Sequence, residues 1–221
     1  MSLWDNLVAM TVLVSPKNRL ERTRIAIATQ ARRDVKAWKK WCASVIEDGA
    51  GMIVVSNPGF DLQQMNEILS AAREVSPRGL VAAKEPVDAT VRADVIHLDS
   101  VEHVKKWSGR LVGCAVSSVK AAEAAYKAGC AYLVADMRIE SLVAEMAGLA
   151  RTHPDLVWFV SGCTTLADLE KATSLGARRV WMEAELDVAV RVWANHCRHV
   201  SAGEHHRLTG DRTDAIPWMK P

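Results

Sequence analysis

No apolar run in this 221-residue chain reaches the ~18 residues that a membrane-spanning helix needs. Charge of one sign is also lacking. The formal net charge is only +2, and no basic stripe interleaved with aromatics is present, which argues against nucleic acid as a partner. There is no CxxC pair. The five cysteines, Cys42, Cys114, Cys130, Cys163 and Cys197, are scattered and odd in number, so reduced thiols in a cytoplasmic protein are expected rather than a disulfide scaffold. The apolar start, Met1 to Val14, has no basic segment ahead of it and no small-residue cleavage site. Its basic neighbours Lys17, Arg19, Arg22 and Arg24 all follow it, so an arm that packs or forms an oligomer is expected in place of a signal peptide.

What is present is alternation. Short runs that are apolar almost throughout recur at Ile25–Thr29, Met52–Ser56, Gly79–Ala83, Val95–Leu98, Leu111–Ser117, Tyr132–Ala135, Val157–Ser161 and Arg179–Met182. Strands buried on both faces read this way. Between them lie stripes at helical spacing: Val35, Trp38, Trp41, Cys42, Val45 and Ile46; Leu62, Met65, Ile68, Leu69 and Ala72; Leu142, Val143, Met146, Leu149 and Ala150; Leu166, Leu169 and Ala172; and Leu186, Ala189, Val190 and Trp193. Between Glu85 and Asp94, Pro86 leaves room for one helical turn at most.

Eight strands in this order predict an α/β fold, a (β/α)8 TIM barrel of minimal size forming a single domain. A doubly wound open sheet is the alternative, and it usually carries a glycine-rich loop after its first strand. Here "TQARRD" follows, without glycine. The expected layout is an apolar N-terminal arm over residues 1–23, the barrel over 24–199 and a polar C-terminal tail over 200–221. Leu7–Val14 competes with Ile25–Thr29 for the place of the first strand.

Barrel chemistry sits at the carboxyl ends of the strands. Glu85, Asp99, Glu102, Asp136 and Glu183 would ring that mouth. Such a ring suits a hard cation such as Mg²⁺. Equally, acidic residues cap the helices that follow strands, and Asp99 and Asp136 are the foremost candidates for that role. Glu85 is the better ligand candidate, because no clear helix follows it. His97, flanked by Ile96 and Leu98, is placed to face the barrel interior. Cys163 begins a helix, where a thiol pKa is lowered, yet no base partner is readable and a packing role is expected. His196, Cys197, His199, His205 and His206 fit no zinc spacing.

The strand ends carry a resemblance. "GLVAAKEPVDATVRADVIHLDS" (Gly79–Ser100), "RLVGCAVSSVKAAEAAYKAGCAYLVAD" (Arg110–Asp136) and "VWFVSGCTTLADLEKATSLGARRVWM" (Val157–Met182) together resemble the thiamine phosphate synthase family, which includes the thiazole tautomerases. That family is a (β/α)8 barrel. The resemblance implies Mg²⁺ and a phosphorylated or pyrophosphorylated small molecule bound at the C-terminal face of the strands. The family couples an aminopyrimidine pyrophosphate to a thiazole phosphate. By position, the resemblance places Mg²⁺ on Glu85 and Glu102; Lys84, and Arg138 as the cation nearest the family's replaced lysine loop, would neutralise phosphate, with Ser117, Gly162 and Thr164 as auxiliary donors. The departures are specific. The family's pyrophosphate-binding arginine and lysine after strand 2 are replaced within Val54–Pro58, and its paired glycines of strand 7 become Ser161 and Gly162. Ser161 adds a Cβ where backbone would approach phosphate, and Glu183 adds a like charge worth about 4 kcal/mol at ~4 Å and an effective dielectric of ~20. The retained residues therefore imply ligand binding more than they imply the coupling reaction. A catalytically silent barrel acting as a scaffold or homo-oligomeric partner subunit is the other expectation, supported by the apolar arm and the eight tryptophans.

Overall fold

The computed structural model describes residues 15–56, 59–86 and 88–183, without the side chains of Leu166 and Glu183. Eight parallel strands close into a barrel in chain order: β1 (Ile25–Gln30), β2 (Met52–Ser56), β3 (Leu80–Lys84), β4 (Val95–Leu98), β5 (Leu111–Val116), β6 (Tyr132–Asp136), β7 (Val157–Ser161) and β8 (Val180–Glu183). β8 returns to β1 with Ile25 beside Val180 and Ala28 beside Glu183, which closes the ring. The expected TIM barrel is thus the fold, and Ile25, not Leu7, opens it. The arm 1–14, the stripe Leu186–Trp193, the His196–His206 group and the tail lie outside the described residues.

Period-two alternation divides each strand between two cores. Ala26, Ala28, Met52, Val54, Leu80, Ala82, Val95, Tyr132, Val134, Val157, Phe159 and Trp181 fill the barrel interior. Ile25, Ile27, Ile53, Val55, Val81, Ile96, Val112, Leu133 and Val160 belong to the larger outer core beneath the helices. Inside, the Tyr132 ring stands edge-on to Phe159 with centroids 5.5 Å apart. It occupies the space over Gly113, where a Cβ would lie 2.0 Å from the Tyr132 Cζ. Glycine on β5 is what admits an aromatic ring from β6.

The helices are α1 (Pro16–Arg22), α2 (Val35–Glu47), α3 (Leu62–Val75), the 3₁₀ helix η1 (Val101–Trp107), α4 (Val119–Lys127), α5 (Glu140–Thr152) and α6 (Leu166–Ser174). Side chains of the preceding turns start most of them. Asp34 accepts from the N–H groups of Lys36 and Ala37, Asp61 and Gln64 form a capping box, and Thr165 and Asp168 form another. Trp38 is fully buried and donates its indole N–H to the Ile68 carbonyl at 3.0 Å, fixing α2 on α3. No helix separates β3 from β4, as Pro86 requires. α1 closes the N-terminal end of the barrel. Leu20 enters the inner core, and Arg19 donates to the Gly79 carbonyl at 2.8 Å.

Three helices escape the sequence pattern. α4 buries only Ala122 and Ala125, residues too small to make a stripe. η1 buries Val104 and Trp107, three apart, which is a 3₁₀ period. α1 spans seven residues with one buried side chain. Two expected caps are corrected. Ser100, not Asp99, caps η1, and Ile139 stands at the N-cap of α5 with no side-chain cap, because Asp136 is held by Arg138.

Candidate functional site

Among the described side chains, which do not include that of Glu183, the polar strand ends do not form one ring. They divide into a cavity at β2–β4 and a set of closed contacts at β6–β7. The cavity holds about 260 Å³ and is lined by Ser56, Phe60, Asp61, Leu62, Met65, Lys84, Glu85, Pro86, Asp88, Val91 and Asp99. Its apolar wall comes from the β2–α3 turn, α3 itself and the loop after β3. The polar face comes from the ends of β3 and β4.

Three ties hold that face. The Glu85 N–H donates to the His97 carbonyl at 2.8 Å. The Asp99 N–H donates to Glu85 Oε1 at 2.5 Å. Lys84 Nζ lies 3.1 Å from Asp99 Oδ1. These ties keep Glu85 at φ +43°, a left-handed conformation that non-glycine residues rarely adopt. Strain of that kind persists only where surroundings over-determine it, and it gathers at functional sites. The Lys84 side chain is 34 % exposed and that of Asp99 56 %, so both reach the cavity while remaining paired.

Beneath them His97 faces the interior. Its ring is 4.3 Å from that of Trp181, and its Nδ1 is 3.1 Å from the Tyr132 hydroxyl. Burial, reinforced by the Lys84 charge and opposed by Asp99, pushes the imidazole pKa down from 6.5 to about 3. A neutral ring therefore lies under the mouth, with Nε2 3.9 Å from Asp99 Oδ1. Burial also holds the Tyr132 phenol well above its ordinary range.

The remaining candidates lie elsewhere. Glu102 is exposed on η1 and does not line the cavity. Ser117 is exposed beyond β5. Arg138 forks onto Asp136, which it holds below the usual carboxylate range, and its own pKa is raised in return. Gly162, at φ +79°, packs so closely that a Cβ would stand 2.8 Å from Asp136 Oδ1. Thr164 donates both its N–H and its hydroxyl to Asp168 Oδ2, and the Thr165 N–H joins them at 2.9 Å. The donors at the start of α6 thus already surround a carboxylate. Cys163 corrects the expected lowered thiol pKa: burial first, then Asp168 and Asp136, push it up to about 12. Cys42 is pushed up to about 12 as well, by burial.

Among the described residues no group of three or more His, Cys, Asp or Glu side chains converges to hold a metal ion. Glu85 and Asp99 offer hard carboxylate oxygens at the cavity, which suits Mg²⁺ that brings further oxygens with its ligand. Phe60, Asp61 and Asp88 are cavity residues that sequence reasoning did not single out. The capping pattern Asp61-x-x-Gln64 was their one readable signal, and it marks a helix start, not a cavity.

No protein-family model matches the chain, and no curated protein sequence does. Solved structures do. The fold resembles a thiamine phosphate pyrophosphorylase from Pyrococcus furiosus, with a TM-score of 0.62 and 17% identity over 82% of this chain and 98% of that one. It also resembles a structure described as native KDPGal, with a TM-score of 0.61 and 16% identity over 78% of this chain and 94% of that one. N-acetylneuraminate lyase from Mycoplasma synoviae gives a TM-score of 0.61 at 9% identity, over 85% of this chain and 78% of that one. At these identities the likeness is one of fold: the chain is a (β/α)8 barrel with the shape these structures share. Among the described residues no helix is long and apolar enough to cross a membrane.

Proposed function

We propose that this barrel binds a phosphorylated or pyrophosphorylated small molecule in the β2–β4 mouth, with Lys84 meeting the phosphate. The observation that carries the reading is that, among the described residues, Lys84 is the one basic side chain lining the cavity, and it stands at a strand's carboxyl end. Four carboxylates, Asp61, Glu85, Asp88 and Asp99, line the same space. A bare pyrophosphate would meet a like-charge cost of several kcal/mol there. Glu85 and Asp99 would hold Mg²⁺ brought with the anion, and the ion would supply charge neutralisation; Lys84 orients the anion, and Phe60, Met65 and Val91 exclude water from the organic part. Coupling of aminopyrimidine pyrophosphate to thiazole phosphate remains the reaction to assay first, because it is the one the resemblance supplies.

The test is a melting series with Mg²⁺, pyrophosphate and aminopyrimidine pyrophosphate, singly and together. Thiamine phosphate formation is followed by chromatography once thiazole phosphate is added. We expect a rise of roughly 5–10 °C at hundredfold excess over Kd, requiring Mg²⁺ and the anion together. Lys84→Ala should abolish it. A rise that survives Lys84→Ala would place the ligand elsewhere.

A second reading has its own support. Arg138, Thr164 and Thr165 spend their donors on Asp136 and Asp168, which leaves the β6–β7 side closed. A barrel silenced in this way would act as a scaffold or oligomer subunit. No melting shift with any component would favour it.

A further inference from the structure

We propose that Cys114 and Cys130 are a reversible thiol–disulfide pair: a small disulfide that enters a cavity at the N-terminal end of the barrel is exchanged onto Cys130, and Cys114 resolves the adduct into a Cys114–Cys130 bridge. That cavity lies at the end of the barrel opposite the phosphate site, and the inference does not rest on that site.

Strand register brings the two thiols together. On β5, Gly113 faces the interior beneath the Tyr132 ring, so its neighbour Cys114 faces out into the core under the helices. The turn between α4 and β6 carries Cys130 into the same layer. The Cys130 N–H donates to the Ala125 carbonyl at 3.0 Å, and the Ala131 N–H to the Val112 carbonyl at 2.6 Å. Cys130 thereby lies against β5, and its thiol donates a hydrogen bond to that of Cys114. Cys114 in turn donates to the Ala115 carbonyl at 3.2 Å. A sulfur lone pair of Cys114 is thus already aimed at Cys130. Cys42 and Cys163 differ, because burial governs them and no second thiol touches them among the causes that set their acidity.

Access separates the two roles. Cys114 is fully buried, whereas Cys130 is 7% exposed and lines a cavity of about 450 Å³ between α1 and the starts of β5, β6 and β7. Leu20, Leu111 and Leu156 give that cavity an apolar wall, and Lys17, Glu21 and Asp155 line it with charge. Two carboxylates against one ammonium favour a neutral or cationic disulfide over an anionic one. The hydrogen bond from Cys130 holds the Cys114 thiol below its ordinary range, which suits a resolving nucleophile. The same bond and burial raise the Cys130 thiol, so the first exchange is the slow step.

The exchange balances. The Cys130 sulfur attacks one sulfur of the small disulfide, that S–S bond breaks, and the leaving thiolate takes the Cys130 proton. The Cys114 sulfur then attacks the Cys130 sulfur of the adduct. The mixed S–S bond breaks, and the second thiolate leaves into the cavity with the Cys114 proton. Two cysteine thiols are oxidised and one small disulfide is reduced to two thiols. The bridge ties β5 to the turn that starts β6, with α4 inside the closed loop.

The full chain is incubated with cystamine, quenched with acid, alkylated with N-ethylmaleimide in denaturant and digested with trypsin. Cleavage after Arg110, Lys120, Lys127 and Arg138 leaves Cys114 and Cys130 in separate peptides, so a bridge is read directly by mass spectrometry. We expect those two peptides to be cross-linked, and dithiothreitol to restore both thiols. Modification of Cys42 and Cys163 should lag by at least ~10-fold, because they open only with the barrel core. Cys114→Ala should leave Cys130 carrying cysteamine, and Cys130→Ala should leave Cys114 free, with the melting temperature of each variant checked. Cysteamine held on wild-type Cys130 without a bridge would overturn the proposal, as would a bridge from either thiol to Cys197. Thiol loss spread evenly over the cysteines, or no loss at all, would overturn it too.

Discussion

At the scale of single residues, the buried histidine has the most measurable consequence. The pKa of His97 is depressed from 6.5 to about 3, so the folded chain stays unprotonated there while the unfolded chain takes up a proton. The stability that follows is fully present above pH ~6.5 and is lost as pH falls from there toward 3. Urea midpoints at pH 7.5 and pH 5 should therefore drop for the wild type. His97→Gln should be less stable at pH 7.5, through lost packing on Trp181 and Tyr132, but its drop between the two values should be distinctly smaller. Equal drops would mean that other groups set the acid limb. The inward placement of His97 was legible, because Ile96 and Leu98 leave only the interior for it. The ring of Tyr132 filling the space over Gly113 was not, since it joins residues nineteen apart through register alone. Nor was the thiol of Cys163: a helix start predicts lowering, and only burial, invisible in one dimension, reverses it.

At the scale of elements, strands were easier to read than helices for a physical reason. A strand in a closed barrel is apolar on both faces, so β2, β4 and β7 stand out with their observed limits. A helix shows itself only through large side chains on one stripe. α2 and α3 have them; α4 offers alanines. Caps were half legible. Thr165 and Asp168 bracket α6 as hydroxyl and acidic residues should, whereas Asp136 belongs to Arg138 instead of its helix. The α6 start also decides how the β7 turn is read. Thr165→Ala removes the hydroxyl that accepts the Asp168 N–H and should cost about 1 kcal/mol in urea unfolding. A neutral result would mean that the capping box does not hold this helix, and the closed state of the turn would need another explanation.

At the scale of the whole molecule, alternation along the chain made the barrel legible, and the absent glycine loop set aside the open sheet. The cavity was not legible, because Phe60, Lys84, Asp88 and Asp99 meet only once β2, β3 and β4 lie side by side. The far end of the barrel raises a related question: whether α1 is part of the cooperative unit or an attachment to it. Leu20 is 1% exposed and belongs to the inner core, while Arg19 reaches both the Gly79 carbonyl and, at 3.7 Å, Asp94. Asp94 in turn accepts from the Val81 N–H at 3.0 Å and pairs with Arg73. The plug is thus wired into β3, the strand that carries Lys84 at its other end. Leu20→Ala should then cost about 2–5 kcal/mol, as buried leucine truncations do. The loss should register equally by far-UV circular dichroism and by tryptophan fluorescence, because one transition governs both. Were α1 a separately fraying attachment, the midpoints of the barrel would hold and only a small early loss of helical signal would be seen. Coincident shifts of both probes would make the N-terminal plug a structural support of the mouth at the opposite end.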